Sequence, residues 1–210
     1  MRGLLALTTA ELLDRFASAD PTPGGGSAAA LAGAAAAALV TMVCRMPKTR
    51  TGDPRERARL DEALARATEA GRRLREAVDE DSAAYDAVMA AYRLPKATGD
   101  EKAARKRAVD AAVSVATEVP LRTAEACLVV LAAADTAAGN GNPNATSDAR
   151  TAAALAWAGL RGAAENVRIN LGSADPSPAR ERIEDLEHEA GQRLAALGLT
   201  PSGPRSTGGS

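Results

Sequence analysis

Apolar and polar positions follow helical spacing along nearly the whole chain, and no stretch shows the two-residue alternation of a half-buried strand. Thr8 and Glu11 have the spacing of a capping box and predict a first helix to about Ser18, with Leu12, Leu13 and Phe16 on one face. A second helix is predicted from Ser27 to about Arg45. Its run from Ala28 to Val43 is apolar on every side, as a helix in the middle of a bundle must be. Asp53-Pro54-Arg55-Glu56 supplies a cap, a proline at the first helical position and an acid in the first turn. The third helix that it opens continues to about Tyr92, where Leu94-Pro95 stops it. Within that helix Leu60, Leu64, Ala67, Leu74 and Val78 make a narrow apolar stripe, and the arginines and glutamates around it read as a solvated face. A fourth helix is predicted from Asp100 to about Ala138, with Val109, Val113 and Val115 inward and a kink at Pro120. The segment from Ala138 to Asn144 reads as a polar loop of Asn and Gly, after which Ser147 or Asn144 caps a fifth helix to about Leu171. Asp175-Pro176-Ser177-Pro178 is a break before an amphipathic last helix, Ala179 to Leu197, and Thr200 to Ser210 reads as a disordered tail.

These elements predict an all-α fold: a single-domain helical bundle over residues 1–199 with a long central alanine-rich helix, dimerising through helices. Composition sharpens that picture. Hydrophobic residues are 46% of the 210, aromatics only 2%, and alanine is about a quarter, so the core rests on many thin contacts between closely spaced helices. Such a core favours a partner subunit. A formal net charge of −1 gives no general attraction to nucleic acid or to an anionic membrane. The run from Ala28 to Val43 is shorter than the roughly 20 residues of a membrane span and starts too far from the N-terminus for a secretory signal, so it is expected in the core. Cys44 and Cys127 lie in apolar runs without a neighbouring metal-ligating partner, which predicts buried free thiols in a reducing cytoplasm. The only histidine, His188, sits among Glu184, Glu187 and Glu189 and is expected to face solvent, leaving neither a Ser-His-Asp triad nor a histidine zinc site.

Four polar constellations interrupt the bundle pattern. In Pro21-Thr22-Pro23-Gly24-Gly25-Gly26-Ser27, three glycines run into a helix start with Ser27 as the expected N-cap. Orphan amides there invite a carboxylate or phosphate, and equally the glycines serve close helix packing. Glu80-Asp81, Tyr85, Met89 and Tyr92 precede Leu94-Pro95-Lys96, with Asp81, Tyr85 and Tyr92 near one face. An acid, two phenols and a lysine suit a polar aromatic ligand and a proton transfer, or are a surface carboxylate and wet core tyrosines. Asn140, Asn142, Asn144, Ser147 and Asp148 form the third group, with turn and cap chemistry as the other use. In Glu165-Asn166-Val167-Arg168-Ile169-Asn170-Leu171, two amides one turn apart need partners, from a neighbouring helix or from a ligand.

Taken in order, these motifs and Val119-Pro120 resemble the formiminotransferase-cyclodeaminase C-terminal domain and its stand-alone relatives, the methenyltetrahydrofolate cyclohydrolases. The resemblance implies an all-helical subunit, a homodimer with its folate groove near the subunit interface, and chemistry on a one-carbon unit of tetrahydrofolate. It calls for no metal or redox cofactor, the folate being the substrate. Residues Arg45 to Asp53 depart from it, being rich in Arg, Lys and Pro where a less interrupted connection is expected. Carried onto this chain, the implied roles are a carboxylate from Asp148 or Asp81 and a proton donor or electrostatic partner in Lys96. Gly24, Gly25, Gly26 and Ser27 would hold a polar edge or carboxylate of the ligand, with Tyr85 and Ser147 beside it. Asn142, Asn144, Asn166 and Asn170 would orient the loop or the pterin, and Arg168, or Lys48 and Arg50, would take the glutamate tail. Cyclohydrolase and cyclodeaminase stay open at this point, as does a non-catalytic folate-binding or helical interaction dimer.

Overall fold

The computed structural model describes residues 3–172 and 177–199; the Asp175-Pro176 break and the tail from Thr200 lie outside them. Six α-helices and no strand are found among the described residues. They are α1 (Thr9–Phe16), α2 (Gly25–Arg45), α3 (Pro54–Tyr92), α4 (Gly99–Asn140), α5 (Thr146–Leu171) and α6 (Pro178–Ala196). Local signals set most boundaries. Thr8 and Glu11 form the reciprocal capping box, Asp53 caps α3 with Pro54 behind it, and Gly172, at φ 72°, turns the chain out of α5 as only glycine does freely.

Several boundaries differ from expectation. The N-cap of α2 is Gly24, not Ser27, and no side chain caps it. Thr98 and Glu101 form an unforeseen capping box that opens α4 before Asp100. Helix α4 continues through Asn140, so Ala138 to Asn140 is helical, and no Asn in that region takes left-handed angles. Pro120 sits inside α4 without ending it. Asn142 caps a short 3-10 turn, Pro143–Ala145, and α5 starts from Ala145 without a side-chain cap from Asn144 or Ser147. Leu13 and Val115, which the pattern places on buried faces, are exposed.

Helices α2 to α5 form a closed ring in which α3 packs on α4, α4 on α5, α5 on α2 and α2 on α3, while α6 lies against α4 and α5. Short connections make sequential neighbours antiparallel. The starts of α2 and α4 therefore share one direction, and those of α3 and α5 the other. Helix α2 is the one helix among the described residues long and apolar enough to cross a membrane, and 56% of that apolar window is buried inside the bundle. Its 21 residues exceed the length read from the sequence.

The packing of α2 depends on what is missing from it. A Cβ on Gly33 would lie 2.6 Å from Cys127 Sγ and 3.0 Å from a Leu74 methyl, and one on Gly159 would lie 2.7 Å from the Ala29 carbonyl oxygen and 2.9 Å from Cys127 Sγ. Three helices thus close on one buried thiol. Ala30, Ala36, Ala37, Val40 and Cys44 continue the contact surface with 3% exposure or less. Burial pushes the Cys44 thiol up to about 11 and that of Cys127 to about 12, so both stay protonated.

We expect Gly159→Ala to lower the unfolding free energy in urea by about 1–3 kcal/mol through overpacking. Gly191, in α6, is the control, because a Cβ there would have no neighbour within 4 Å; Gly191→Ala is expected to raise stability by up to about 1 kcal/mol. A stabilised Gly159→Ala protein would contradict the packing account.

Candidate functional site

The N-terminus of α2 does bind an anion, and the anion is the protein's own. Asp81 of α3 accepts the Ser27 amide at 2.8 Å and the Ser27 hydroxyl at 3.1 Å on Oδ2, and the Ser27 hydroxyl meets that of Ser82 at 3.2 Å. Ser27 is fully buried. Gly26 is what lets the carboxylate in: a Cβ there would stand 2.0 Å from Asp81 Oδ1. Ser27 therefore acts as a first-turn donor toward α3, not as a cap. Burial pushes the Asp81 carboxyl above its ordinary 3.8, and the Ser27 hydrogen bonds offset only part of that. A carboxyl held in a partly open site with a raised pKa has the properties of an acid–base group.

Around this point stand Gly24, Gly25 and Asn166, whose Nδ2 would be 3.8 Å from a Cβ on Gly25. Both asparagines of α5 have protein partners. Asn166 donates to the Gly162 carbonyl of its own helix, and Asn170 donates to the Ala116 carbonyl of α4 at 2.7 Å. The second bond has a clear cause. Pro120 lacks the amide that would normally take the carbonyl four residues earlier, and Asn170 supplies the missing donor. Val119-Pro120 and Asn170 are thus one structural device. Arg168 pairs with Glu187 of α6 and with Glu165, and is committed to holding α6 on α5.

Asp148 lies at the other end of the bundle. Eighteen residues of α5 separate it from Asn166, about 27 Å at 1.5 Å per residue. There the side chains of Asn144, Ser147 and Asp148 have no hydrogen-bond or ionic partner among the described residues, while Asn142 is used in its turn. Arg50 donates to the Ala138 carbonyl at 2.6 Å and to the Thr146 hydroxyl at 3.4 Å, so the Arg45–Asp53 segment staples the C-terminal end of α4 to the start of α5. Arg57 donates to the carbonyls of Cys44 and Met46 and closes the end of α2 in the same way. Lys48 is exposed.

Lys96 follows the end of α3, in the opposite direction from Asp148. Eleven residues from Asp81 to Tyr92 place that end about 16 Å beyond the α2 start. Helical spacing keeps Asp81, Tyr85 and Tyr92 within about 40° on one stripe of α3, and both phenols are exposed, Tyr85 at 39% and Tyr92 at 49%. Ala84, Val88, Ala116 and Val119 hold this part of α3 on α4. Asp81 and Lys96 are therefore on one hairpin, and Asp148 is remote from both within a subunit. The sequence reading missed Ser82, and it missed Lys102, Arg105 and Lys106 beside Lys96; the density of basic residues in the first turns of α4 was the available signal. His188 is exposed, as expected, and meets Gln192.

Comparisons with known proteins bear on this arrangement. The model of the formiminotransferase-cyclodeaminase family matches residues 8–190. The chain belongs to that family. It is 44% identical to a methenyltetrahydrofolate cyclohydrolase of Methylorubrum extorquens, over 86% of this chain and 87% of that one. It is 32% identical to the formimidoyltransferase-cyclodeaminase of Rattus norvegicus over 93% of this chain, which spans only 37% of the rat protein. The crystal structure of a formiminotetrahydrofolate cyclodeaminase from Thermotoga maritima superposes with a TM-score of 0.74 at 25% identity, covering 92% of this chain and 93% of that one. The polar motifs of this chain thus sit at two ends of a helical ring, with the glycine loop, Asp81, Asn166 and Asn170 at one and the Asn142 to Asp148 turn at the other.

Two outcomes follow from this geometry. Asn170→Ala is expected to cost about 1–3 kcal/mol by leaving a carbonyl unpaired, and much less in a Pro120→Ala background, where the amide of residue 120 returns; equal costs in both backgrounds would refute the pairing. The Asp81 contribution is expected to be complete below 3.8 and to decline as pH rises to the raised folded value, because the native protein holds the proton longer. Urea melts of wild type against Asp81→Asn across that range should show the decline in their difference, and a flat or rising difference would contradict it.

Proposed function

We propose that the protein is a methenyltetrahydrofolate cyclohydrolase: water attacks the methenyl carbon bridging two folate nitrogens, one carbon–nitrogen bond breaks, and the formyl compound leaves. The observation that carries this reading is the 44% identity to a cyclohydrolase of similar length, covering nearly all of both chains. The structural likeness to a cyclodeaminase supports the second reading, ammonia release from a formimino substrate, which shares the same skeleton and tetrahedral carbon.

Asp81 is the carboxylate proposed at the reacting carbon. Its raised pKa suits taking a proton from the attacking water and returning it to the departing nitrogen, and its negative charge complements the cationic bridge. Asn166 and the edge of Gly25 flank it as donors for the pterin. No step in this scheme uses a metal or a redox cofactor. The free thiols Cys44 and Cys127 fit a cytoplasmic protein.

The working unit proposed is a homodimer. A groove of about 710 Å³ between α3, α4 and α6 has an apolar floor that includes Leu74, Ala77 and Ala126, and a rim where Arg66, Arg73, Arg122 and Arg182 mix with Glu69, Glu76, Glu80 and Glu125. Such a mixed rim is self-complementary in a twofold contact. The unpartnered Asn144, Ser147 and Asp148, about 27 Å from Asn166 within one chain, would then complete a site that a second subunit's Asp81 begins.

Loss of the methenyl chromophore, corrected for spontaneous hydrolysis, should be accelerated by the protein, with kcat lowered by about 10²-fold or more in Asp81→Asn. No acceleration by the wild type overturns the cyclohydrolase reading and turns the assay to ammonia release. Mixing inactive Asp81→Asn and Asp148→Asn proteins should restore about a quarter of wild-type activity if random exchange gives heterodimers with one intact site. A mixture as inactive as its components would place the two carboxylates' roles within one subunit or remove one of them.

A further inference from the structure

The two oxygens of Asp81 are not equivalent. Oδ2 accepts both the Ser27 amide at 2.8 Å and the Ser27 hydroxyl at 3.1 Å, whereas Oδ1 has no hydrogen-bond or ionic partner among the described residues. Every polar side-chain atom sealed from solvent is hydrogen-bonded among the described residues, so Oδ1 is open to the space beside Gly26. An amide N–H cannot turn away, and a proton placed on Oδ2 would face it. The proton of the neutral acid therefore sits on Oδ1. The Ser27 hydroxyl is the movable member of this arrangement. It is fully buried and has one proton, which it can give to Oδ2 or to a backbone carbonyl of the preceding turn, but not to both. Ser82, the residue after Asp81 and half-buried, brings its hydroxyl to 3.2 Å from that of Ser27. While Ser27 donates to Oδ2, Ser82 must be the donor in this second contact. It then fills an acceptor position on the Ser27 oxygen and holds the Ser27 proton toward Asp81.

We propose that Ser82 is a positioning residue for the reaction: it donates to Ser27, Ser27 donates to Asp81 Oδ2, and this chain confines the transferable proton to Oδ1. The proposal rests on Asp81 being the acid–base group of the folate reading above, and Ser82 acts only through Ser27. Hydrogen bonds to the ionised form favour it, so the serine pair opposes the rise that burial causes in the Asp81 carboxyl. The charged groups of the surrounding elements are engaged elsewhere. Glu80 turns to Arg122 of α4 at 3.4 Å, which Glu118 also meets, and Asp79 takes the Leu4 amide at 2.7 Å. Helix α2 has no titratable side chain before Cys44, and on α5 Arg168 is held by Glu165 and Glu187. Tyr85 and Asp86, the next titratable groups along α3, are exposed. Control of the Asp81 proton thus falls to the two serines.

The test uses the full chain as wild type, Ser82→Ala, Ser82→Thr, Ser27→Ala and the double variant Ser27→Ala/Ser82→Ala, with circular dichroism to confirm folding. In Ser82→Ala the Asp81 ionisation in the pH profile of kcat/KM for methenyltetrahydrofolate is expected to move to higher pH. Its kcat is expected to fall about two- to tenfold, the range of one hydrogen bond, with KM unchanged. Ser82→Thr keeps the hydroxyl and is expected to restore the wild-type profile. In the Ser27→Ala background, removing the Ser82 hydroxyl is expected to change nothing further. An unmoved ionisation in Ser82→Ala, a Ser82→Thr profile that matches it, or an undiminished effect of Ser82→Ala in the absence of the Ser27 hydroxyl would overturn the proposal. Titration of the Asp81 carboxyl by isotope-edited NMR in ligand-free protein separates this result from failure of the folate reading. A move to higher pH in Ser82→Ala is expected there even where turnover is absent, and no move would overturn the serine chain alone.

Discussion

The close approach of α2 to its neighbours is the constraint on which the rest of the molecule depends. With so few aromatic residues, the chain has little bulk with which to fill space between helices, and it brings the axes together instead. Gly33 and Gly159 do this around the Cys127 thiol, and Ala29, Ala36 and Ala37 extend the contact. Each small contact contributes little dispersion energy, but the ring of four helices multiplies them. The same smallness makes the packing unforgiving: one added methyl meets backbone or sulfur at less than 3 Å.

The position of α2 in turn creates the candidate site. Its first turn presents amides to a carboxylate from α3, and Gly26 lets Asp81 come against the helix where any side chain would block it. A packing device and a chemical group are thus the same feature. The ring also separates the polar motifs into two ends, joined by the length of α5 and not by any side-chain contact. At the Asp81 end Ser27, Asp81, Asn166 and Asn170 are all partnered inside the subunit, whereas the side chains of Asn144, Ser147 and Asp148 at the other end have no hydrogen-bond or ionic partner among the described residues. That asymmetry supports a site assembled from more than one chain, with Asp81 held rigidly and the turn around Asp148 left to meet a ligand.

What was legible in the sequence was local or periodic. The Thr8 capping box, the Asp53-Pro54 start and the end of α3 before Pro95 are set by residues within four positions of each other, and the structure has them where the sequence puts them. The features that were not legible depend on residues far apart. Ser27 reads as a cap because its true partner, Asp81, is 54 positions away. Asn170 looks like a ligand-binding amide until the carbonyl freed by Pro120, on another helix, is seen opposite it. The separation of Asp148 from Asp81 was accessible in principle, since short connections force antiparallel neighbours and alternate the direction of successive helices. Motif order along the chain concealed it, because motifs from both ends of the bundle alternate in the sequence.

If the carboxylate docked on the α2 N-terminus is the acid–base group of folate ring opening, its ionisation must govern turnover. The pH dependence of kcat/KM for methenyltetrahydrofolate hydrolysis, in wild type and in Asp81→Asn, tests it most directly. An ionisation above the ordinary carboxylate value of 3.8 is expected in the wild-type profile and is expected to be absent from that of the variant. A profile with the same ionisation in both proteins would contradict it and leave Asp81 as a purely structural anchor.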